Sequence, residues 1–389
     1  QTNHLKAYGI AYWALENNYK VEWLLNYQGG AFLFDFSKEI TQKCLLKNVL
    51  NNFLTIEEIS MIYSTIEEEN MEIVTLEKPP KIAVYSPPNQ QPWDDAVTLA
   101  LTYAEIKYDV IFDDEVMNGK IYEYDWLHLH HEDFTGQYGK FYKYRNQDWY
   151  KNMEIEFTLS AKKYGFNTVH NFKKTIALKI RDYINSGGFL FAMCSATDSF
   201  DIALSYYMTD FVHSVYDKTP IDADYRQKVN YAYAIAFENY ELYTDPTIYE
   251  YSNIDLPSSH KPTTRTAESD YFTLSNFSAK WDPVPSMLIQ NHVSNVNGFM
   301  GQTTGYNKKF LKTHVLILGE DLYSDQVKYI HGNIGKGTFT FLGGHDPEDY
   351  RHHVGDPPTD LDLHRNSPGY RLILNNILFP AAKKKSKKT

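Results

Sequence analysis

The rhythm of apolar and polar positions changes near residue 80. Before it, residues 4–18 carry apolar side chains at helical spacing (Leu5, Tyr8, Ala11, Tyr12, Leu15), interrupted by Gly9. A short strand over 19–25, a Gly29-Gly30 turn and an apolar run over 31–36 follow. Thr55 and Glu58 stand three apart ahead of a periodic stretch, which predicts a capping box and a helix ending near Glu68. Lys78-Pro79-Pro80 breaks the pattern, so residues 1–78 are expected to form an N-terminal lobe.

From Lys81 onward, strands and helices alternate. Short apolar runs at 82–85, 108–112, 125–130 and 189–193 are separated by helical patterns at 93–107 and 172–186. Such alternation predicts βαβ units and a mostly parallel sheet covered on both faces. Residues 197–260 lose the sheet rhythm and are rich in Tyr, so they are expected to be an insertion. The core pattern resumes at 313–318, turns at Gly335-Lys336-Gly337, and ends in a strand at 338–342 and a closing helix at 369–378. The fold class expected for 79–378 is therefore a three-layer α/β domain, and 379–389 is expected to be a disordered basic tail.

Two residues at strand ends draw attention first. Cys194 follows the apolar strand directly and is succeeded by the small residues Ser195 and Ala196. A nucleophile at a strand-to-helix turn is held exposed there, and a helix N-terminus lowers a thiol's pKa. His345 follows Gly343-Gly344, with Asp346 and Glu348 close behind as acids that could orient it as a base. A second cluster, His128, His130, His131, Glu132 and Asp133, lies at another strand end. Alternation puts His128 and His130 on one face. Together with His352, His353, Asp356, Asp360, Asp362 and His364 downstream, these residues could enclose a zinc or similar divalent ion, so a divalent metal is a possible cofactor. Trp93, Trp126 and His131 are candidates to line a substrate pocket.

Charge and composition narrow the partners. There are 49 acidic and 38 basic residues, giving a net charge of -11, and the basic run is confined to the C-terminal tail. Nucleic acid, which demands a concentrated positive footprint, is not an expected partner. No apolar run reaches the roughly 20 residues that span a bilayer. Two cysteines give no disulfide framework. A start at Gln1 would fit removal of an export signal, so an extracytoplasmic, periplasmic setting is expected, with a cytoplasmic one as the alternative.

The segments Gly187-Gly188-Phe189-Leu190-Phe191-Ala192-Met193-Cys194 and Gly335-Lys336-Gly337-Thr338-Phe339-Thr340-Phe341-Leu342-Gly343-Gly344-His345 resemble the class I glutamine amidotransferase-like superfamily, which includes ThuA-like domains. The resemblance covers roughly residues 80–130, 170–200 and 310–378 and implies a flavodoxin-like fold. It also implies Cys194 as nucleophile and His345 as base. Ala192 and Ala196 stand where that superfamily carries glycines, Pro347 stands at its acid position, and His130-His131-Glu132-Asp133 replaces its glycine-rich oxyanion loop. The segments Asn3-His4-Leu5-Lys6-Ala7-Tyr8-Gly9 and Asn26-Tyr27-Gln28-Gly29-Gly30 are similar to an uncharacterised Bacteroidota family often labelled "asparagine synthetase B". These departures favour a non-catalytic component of the cell envelope that binds a protein or glycan. A thiol hydrolase acting on an amide, ester or glycan-linked substrate and a metal-dependent hydrolase are the alternatives.

Overall fold

The computed structural model describes residues 3–87, 95–256, 270–299, 301–349 and 357–383. The chain opens with α1 (His4–Glu16), β1 (Val21–Leu25), β2 (Ala31–Phe34), α2 (Lys38–Leu46), α3 (Ile56–Glu68) and β3 (Glu72–Leu76). β1 is the centre of a small antiparallel sheet in the order β2-β1-β3. The Thr55–Glu58 capping box is present at the start of α3, with each side chain bonded to the other residue's backbone N–H.

The second part runs β4 (Ile82–Tyr85), α4 (Ala96–Ala104), β5 (Asp109–Ile111), α5 (Asp113–Met117), β6 (Trp126–Leu129), α6 (Asp148–Lys163), α7 (Val169–Ser186), β7 (Phe189–Met193), α8 (Ser195–Ser205) and α9 (Ser214–Asp217). It continues through β8 (Tyr271–Leu274), α10 (Pro283–Leu288), β9 (Asn295–Asn297), β10 (Tyr306–Asn307), β11 (Leu316–Glu320), β12 (Gln326–Ile334), β13 (Gly337–Leu342) and α11 (Pro368–Leu378). The large sheet has the order β5-β4-β6-β7-β13-β12-β11-β8-β9, with β10 beside β12. Strands β5, β4, β6, β7 and β13 are mutually parallel. From β13 outward every pairing is antiparallel. The sheet is therefore mixed, not mostly parallel as the pattern predicted. The difference lies in β12, whose polar residues hide its strand character. Lys328 is buried facing Asp270 at 3.4 Å, and His331 Nδ1 lies 3.0 Å from the Thr340 hydroxyl.

The central strands are buried on both faces, and their alternate residues feed two separate cores. Leu190 and Ala192 of β7 join Leu127 and Leu129 of β6 in a core with Phe172, Ile176 and Ile180 of α7. Phe189, Phe191 and Met193 point the other way, toward α4, α11 and α1. Helix α1 thus belongs to the same covering layer as α4 and α11, which ties the N-terminal lobe to the main sheet. Gly9 makes that packing possible. A Cβ at Gly9 would sit 1.8 Å from the Ala104 carbonyl oxygen at the end of α4.

The stretch expected as an insertion begins with α8, a helix whose residues are all buried, and becomes irregular only after it. Its tyrosines build core: Tyr206, Tyr216, Tyr240 and Tyr251 are buried in the α7-side cluster. The tail expected from residue 379 is ordered as far as Lys383, whose N–H donates to Thr75 O beside β3, and residues 384–389 lie outside the described residues. No helix among the described residues is long and apolar enough to cross a membrane.

Replacing Gly9 by Ala forces α1 away from α4. Overpacking of this kind costs roughly 1–3 kcal/mol. Urea unfolding should show a lowered midpoint with an unchanged slope, and a wild-type midpoint would contradict the close approach.

Candidate functional site

The carboxyl ends of the parallel strands meet along one edge of the sheet. The chain runs outward from β4 to β5 and then returns to the other side of β4 as β6, so the strand order reverses between β4 and β6. Open α/β sheets bind ligands at such a reversal. Three buried side chains converge there: Asp95, His128 and His130.

Asp95 caps α4, and its Oδ1 accepts the Val97 N–H at 2.8 Å. The same oxygen lies 3.2 Å from His128 Nε2 and 2.9 Å from His130 Nδ1. His128 and His130 face the same way because they are two residues apart at the end of β6. Trp126 and Phe191 stack against His128 and wall off its far side. The other ring nitrogen of His128, Nδ1, lies 3.2 Å from the Phe191 carbonyl oxygen. A carbonyl only accepts, so Nδ1 carries a proton. A neutral His128 then presents a bare lone pair at Nε2 to the Asp95 carboxylate. Two electron-rich atoms at that distance require a cation between them, either a proton or a metal ion. Asp95 Oδ2 is also buried and has no hydrogen-bond partner among the described residues. Burial opposes the Asp95 charge, yet His128 and His130 hold its carboxyl well below the usual carboxylate range.

This donor set, two imidazole nitrogens and one carboxylate, suits zinc and other borderline divalent ions. The ligand atoms all lie within 4.8 Å of one another. The backbone carbonyl on His128 is the kind of outer partner that fixes the tautomer of a metal-binding imidazole.

Cys194 lies one strand further along. It sits at the turn from β7 to α8 with φ 50° and ψ -140°, a strained conformation for a residue with a Cβ. Its N–H donates to Gly344 O, which ties the β7 and β13 ends together. Its Sγ accepts the Gln302 N–H at 3.2 Å. Gly301 closes over both candidate residues: a Cβ there would lie 3.0 Å from Cys194 Sγ and 3.3 Å from His345 Cδ2. The fold thus brings Cys194 and His345 to one spot, and the His345 ring lies 5.7 Å from that of His130. Cys194 is 2% exposed, and burial pushes its thiol up to about 11 despite backbone N–H groups that favour the thiolate. The expectation of a thiol activated by its helix N-terminus is not met, because desolvation outweighs those donors.

The two acids expected to orient His345 are engaged elsewhere. Asp346 accepts the Glu348 N–H, the Thr359 hydroxyl and the Tyr370 hydroxyl, which shapes the loop after β13. Glu348 pairs with His364 at 3.1 Å. The metal cluster expected over 128–133 also changes membership. His131 is exposed, with its ring 4.7 Å from that of His130. Glu132 accepts the His130 N–H at 2.9 Å. Asp133 accepts the N–H groups of Thr135, Gln137 and Gly139 and so organises the following loop. Trp126 is fully buried behind His128 and lines no open pocket. Asp362 pairs with Arg365. Trp93, His352, His353 and Asp356 lie outside the described residues. Asp95 is the functional candidate that the sequence did not single out. The helical pattern in the sequence runs from residue 93 and so places Asp95 inside the helix, where nothing marks it as a cap or as a ligand.

No family model and no curated protein matches the chain. Solved structures with a partial likeness include two cytoplasmic proteins of Salmonella typhimurium. One is 8% identical with a TM-score of 0.39, the other 12% identical with a TM-score of 0.37, and each match covers 78% of this chain and 100% of the other. A GH42 beta-galactosidase, Gan42B, is 10% identical with a TM-score of 0.30 over 81% of this chain and 32% of its own. Likenesses this slight say nothing about activity.

The buried, high-pKa thiol gives a direct expectation. Native protein at pH 7.5 should take up iodoacetamide at Cys194 no faster than at Cys44, which is also buried, and labelling of both should appear only on unfolding. Rapid, selective alkylation of Cys194 at that pH, read by peptide mass spectrometry, would contradict the burial described.

Proposed function

We propose that the chain is a metal-dependent hydrolase, acting on an ester or amide, with a divalent ion held by Asp95, His128 and His130. The observation that carries this reading is the facing of His128 Nε2 and Asp95 Oδ1 at 3.2 Å while His128 Nδ1 is committed to a carbonyl. We further infer that the parallel half of the sheet is flavodoxin-like. Its order, with the second strand outside the first and the third to fifth following on the other side, supports this. The triad then lies at the reversal where such folds hold ligands.

The residues around the triad have separable tasks. Asp95 and the two histidines would supply one carboxylate and two imidazole donors to the ion. A bound divalent ion would polarise a carbonyl and lower the pKa of water. His128 is kept in one tautomer by Phe191 O. His130 is kept in place by Asp95 and by the Glu132 carboxylate on its own backbone N–H. His345 is half-buried beside His130, where it can take or deliver a proton at the site's outer side. A thiol hydrolase finds less support, since Cys194 is held as a thiol and both candidate acids are occupied. A non-catalytic binding role gains no support from the Tyr-rich stretch, whose Tyr206, Tyr216, Tyr240 and Tyr251 are core.

Protein purified without chelator should carry close to one equivalent of a divalent transition ion. Asp95→Ala and His128→Ala should each weaken retention by at least about tenfold, as loss of metal-site partners does. Elemental analysis after dialysis checks this. Metal-free wild type after incubation with zinc, manganese or iron(II), or equal occupancy in the variants, would remove the proposal.

A further inference from the structure

At the opposite end of α4 from Asp95, a cleft of about 330 Å³, part of it open to solvent, lies among α1, α2 and the residue that ends α4. Gly9 and Ala104 meet at its base, where α1 crosses the end of α4. Three half-buried lysines line it: Lys6 from α1, Lys43 from α2, and Lys47 just after α2. Lys6 Nζ lies 4.5 Å from the centre of the Tyr103 ring, and Lys43 Nζ lies 4.5 Å from that of Trp13. Both rings also line the cleft, so each lysine stem is held along an aromatic wall. Among the described residues, no carboxylate pairs with Lys6 or Lys43. Lys47 pairs with Glu105, the exposed residue that ends α4.

The lining thus sets three ammonium groups against one carboxylate, in a chain whose net charge is -11. Gathering like charges in one cleft is unfavourable unless something offsets it. The carbonyl end of α4 and the two ring faces offset part of the repulsion. A phosphate monoester offsets more, since it carries about two negative charges near neutral pH. Lysine serves such groups as a point charge for the phosphate oxygens. We propose that this cleft binds the phosphate group of a small soluble molecule, a phosphomonoester or a pyrophosphate, between Lys6 and Lys43. Glu105 restrains the site, because its carboxylate occupies Lys47 and repels an entering anion. The site is independent of the Asp95–His128–His130 triad, which lies at the start of α4 and suits a cation. If the lysines did no more than cover the rings and the helix end, the cleft would take up no anion.

The test is isothermal titration calorimetry of the full chain, after chelator treatment and dialysis, with sodium pyrophosphate compared against sodium chloride of equal ionic strength. Wild type should show a single saturable site for pyrophosphate, weakened by added salt. Lys6→Gln and Lys43→Gln should each weaken binding roughly tenfold, as loss of a charged hydrogen bond does. Glu105→Gln frees Lys47 and removes the opposing charge, so it should tighten binding severalfold. It also serves as the deciding variant should a lysine variant fail to fold. Equal heats in pyrophosphate and chloride for wild type overturn the site and leave the lysines as covers for the rings. Affinity undiminished in either lysine variant, or weakened in Glu105→Gln, overturns it as well. Uptake by vesicles of phosphatidic acid without binding of pyrophosphate would overturn the soluble ligand in favour of a membrane surface.

Discussion

A carboxylate with almost no access to water has to be matched by donors that cannot drift, and Asp95 imposes that condition on this fold. Removing such a group from water costs several kcal/mol before compensation. Compensation comes from two directions. The first turn of α4 offers the Val97 N–H, and β6 delivers the rings of His128 and His130. Both sources are positioned by the same strand pairing, since β4 and β6 are parallel neighbours with Val84 beside His128. A slip of one residue in β6 would turn both histidines to the opposite face of the sheet and leave the charge uncompensated.

The rest of the edge is arranged around that condition. β7 lies beside β6 and supplies the Phe191 carbonyl that sets the His128 tautomer, then ends in the strained turn at Cys194. β13 lies beside β7, and the Gly343-Gly344 turn brings His345 back toward His130. The Asp95–His128–His130 triad, the thiol and His345 are therefore consecutive features of adjacent strand ends. Burial acts on them differently: His128 and His130 hold the Asp95 carboxyl well below its usual range, whereas desolvation pushes the Cys194 thiol up.

Much of this architecture was legible in the residues. The Thr55–Glu58 cap, the β7 run Phe189–Met193 ending at Cys194, and the shared face of His128 and His130 all follow from local periodicity and turn chemistry. What failed had a common physical cause. Asp95 lies 33 positions from His128 and meets it only through the parallel pairing of β4 with β6, so no local spacing announces the contact. Strand β12 escaped notice because Gln326, Lys328 and His331 are buried polar residues whose partners are distant in sequence. The acids after His345 looked like orienting groups, but Asp346 serves its own loop and Glu348 reaches His364. The Tyr-rich stretch lost the sheet rhythm and was expected as an insertion, yet Tyr206, Tyr216, Tyr240 and Tyr251 join the core on the α7 side.

The central claim is that a metal ion, and not only a proton, balances the three buried donors at the β4–β6 reversal. X-ray absorption at the zinc edge, on chain loaded with one equivalent of zinc, tests this most directly. The account predicts a first shell of nitrogen and oxygen scatterers with the outer-shell pattern of two imidazoles, lost when His128 is replaced by Ala. A sulfur-dominated shell, or a spectrum unchanged by that replacement, would contradict it.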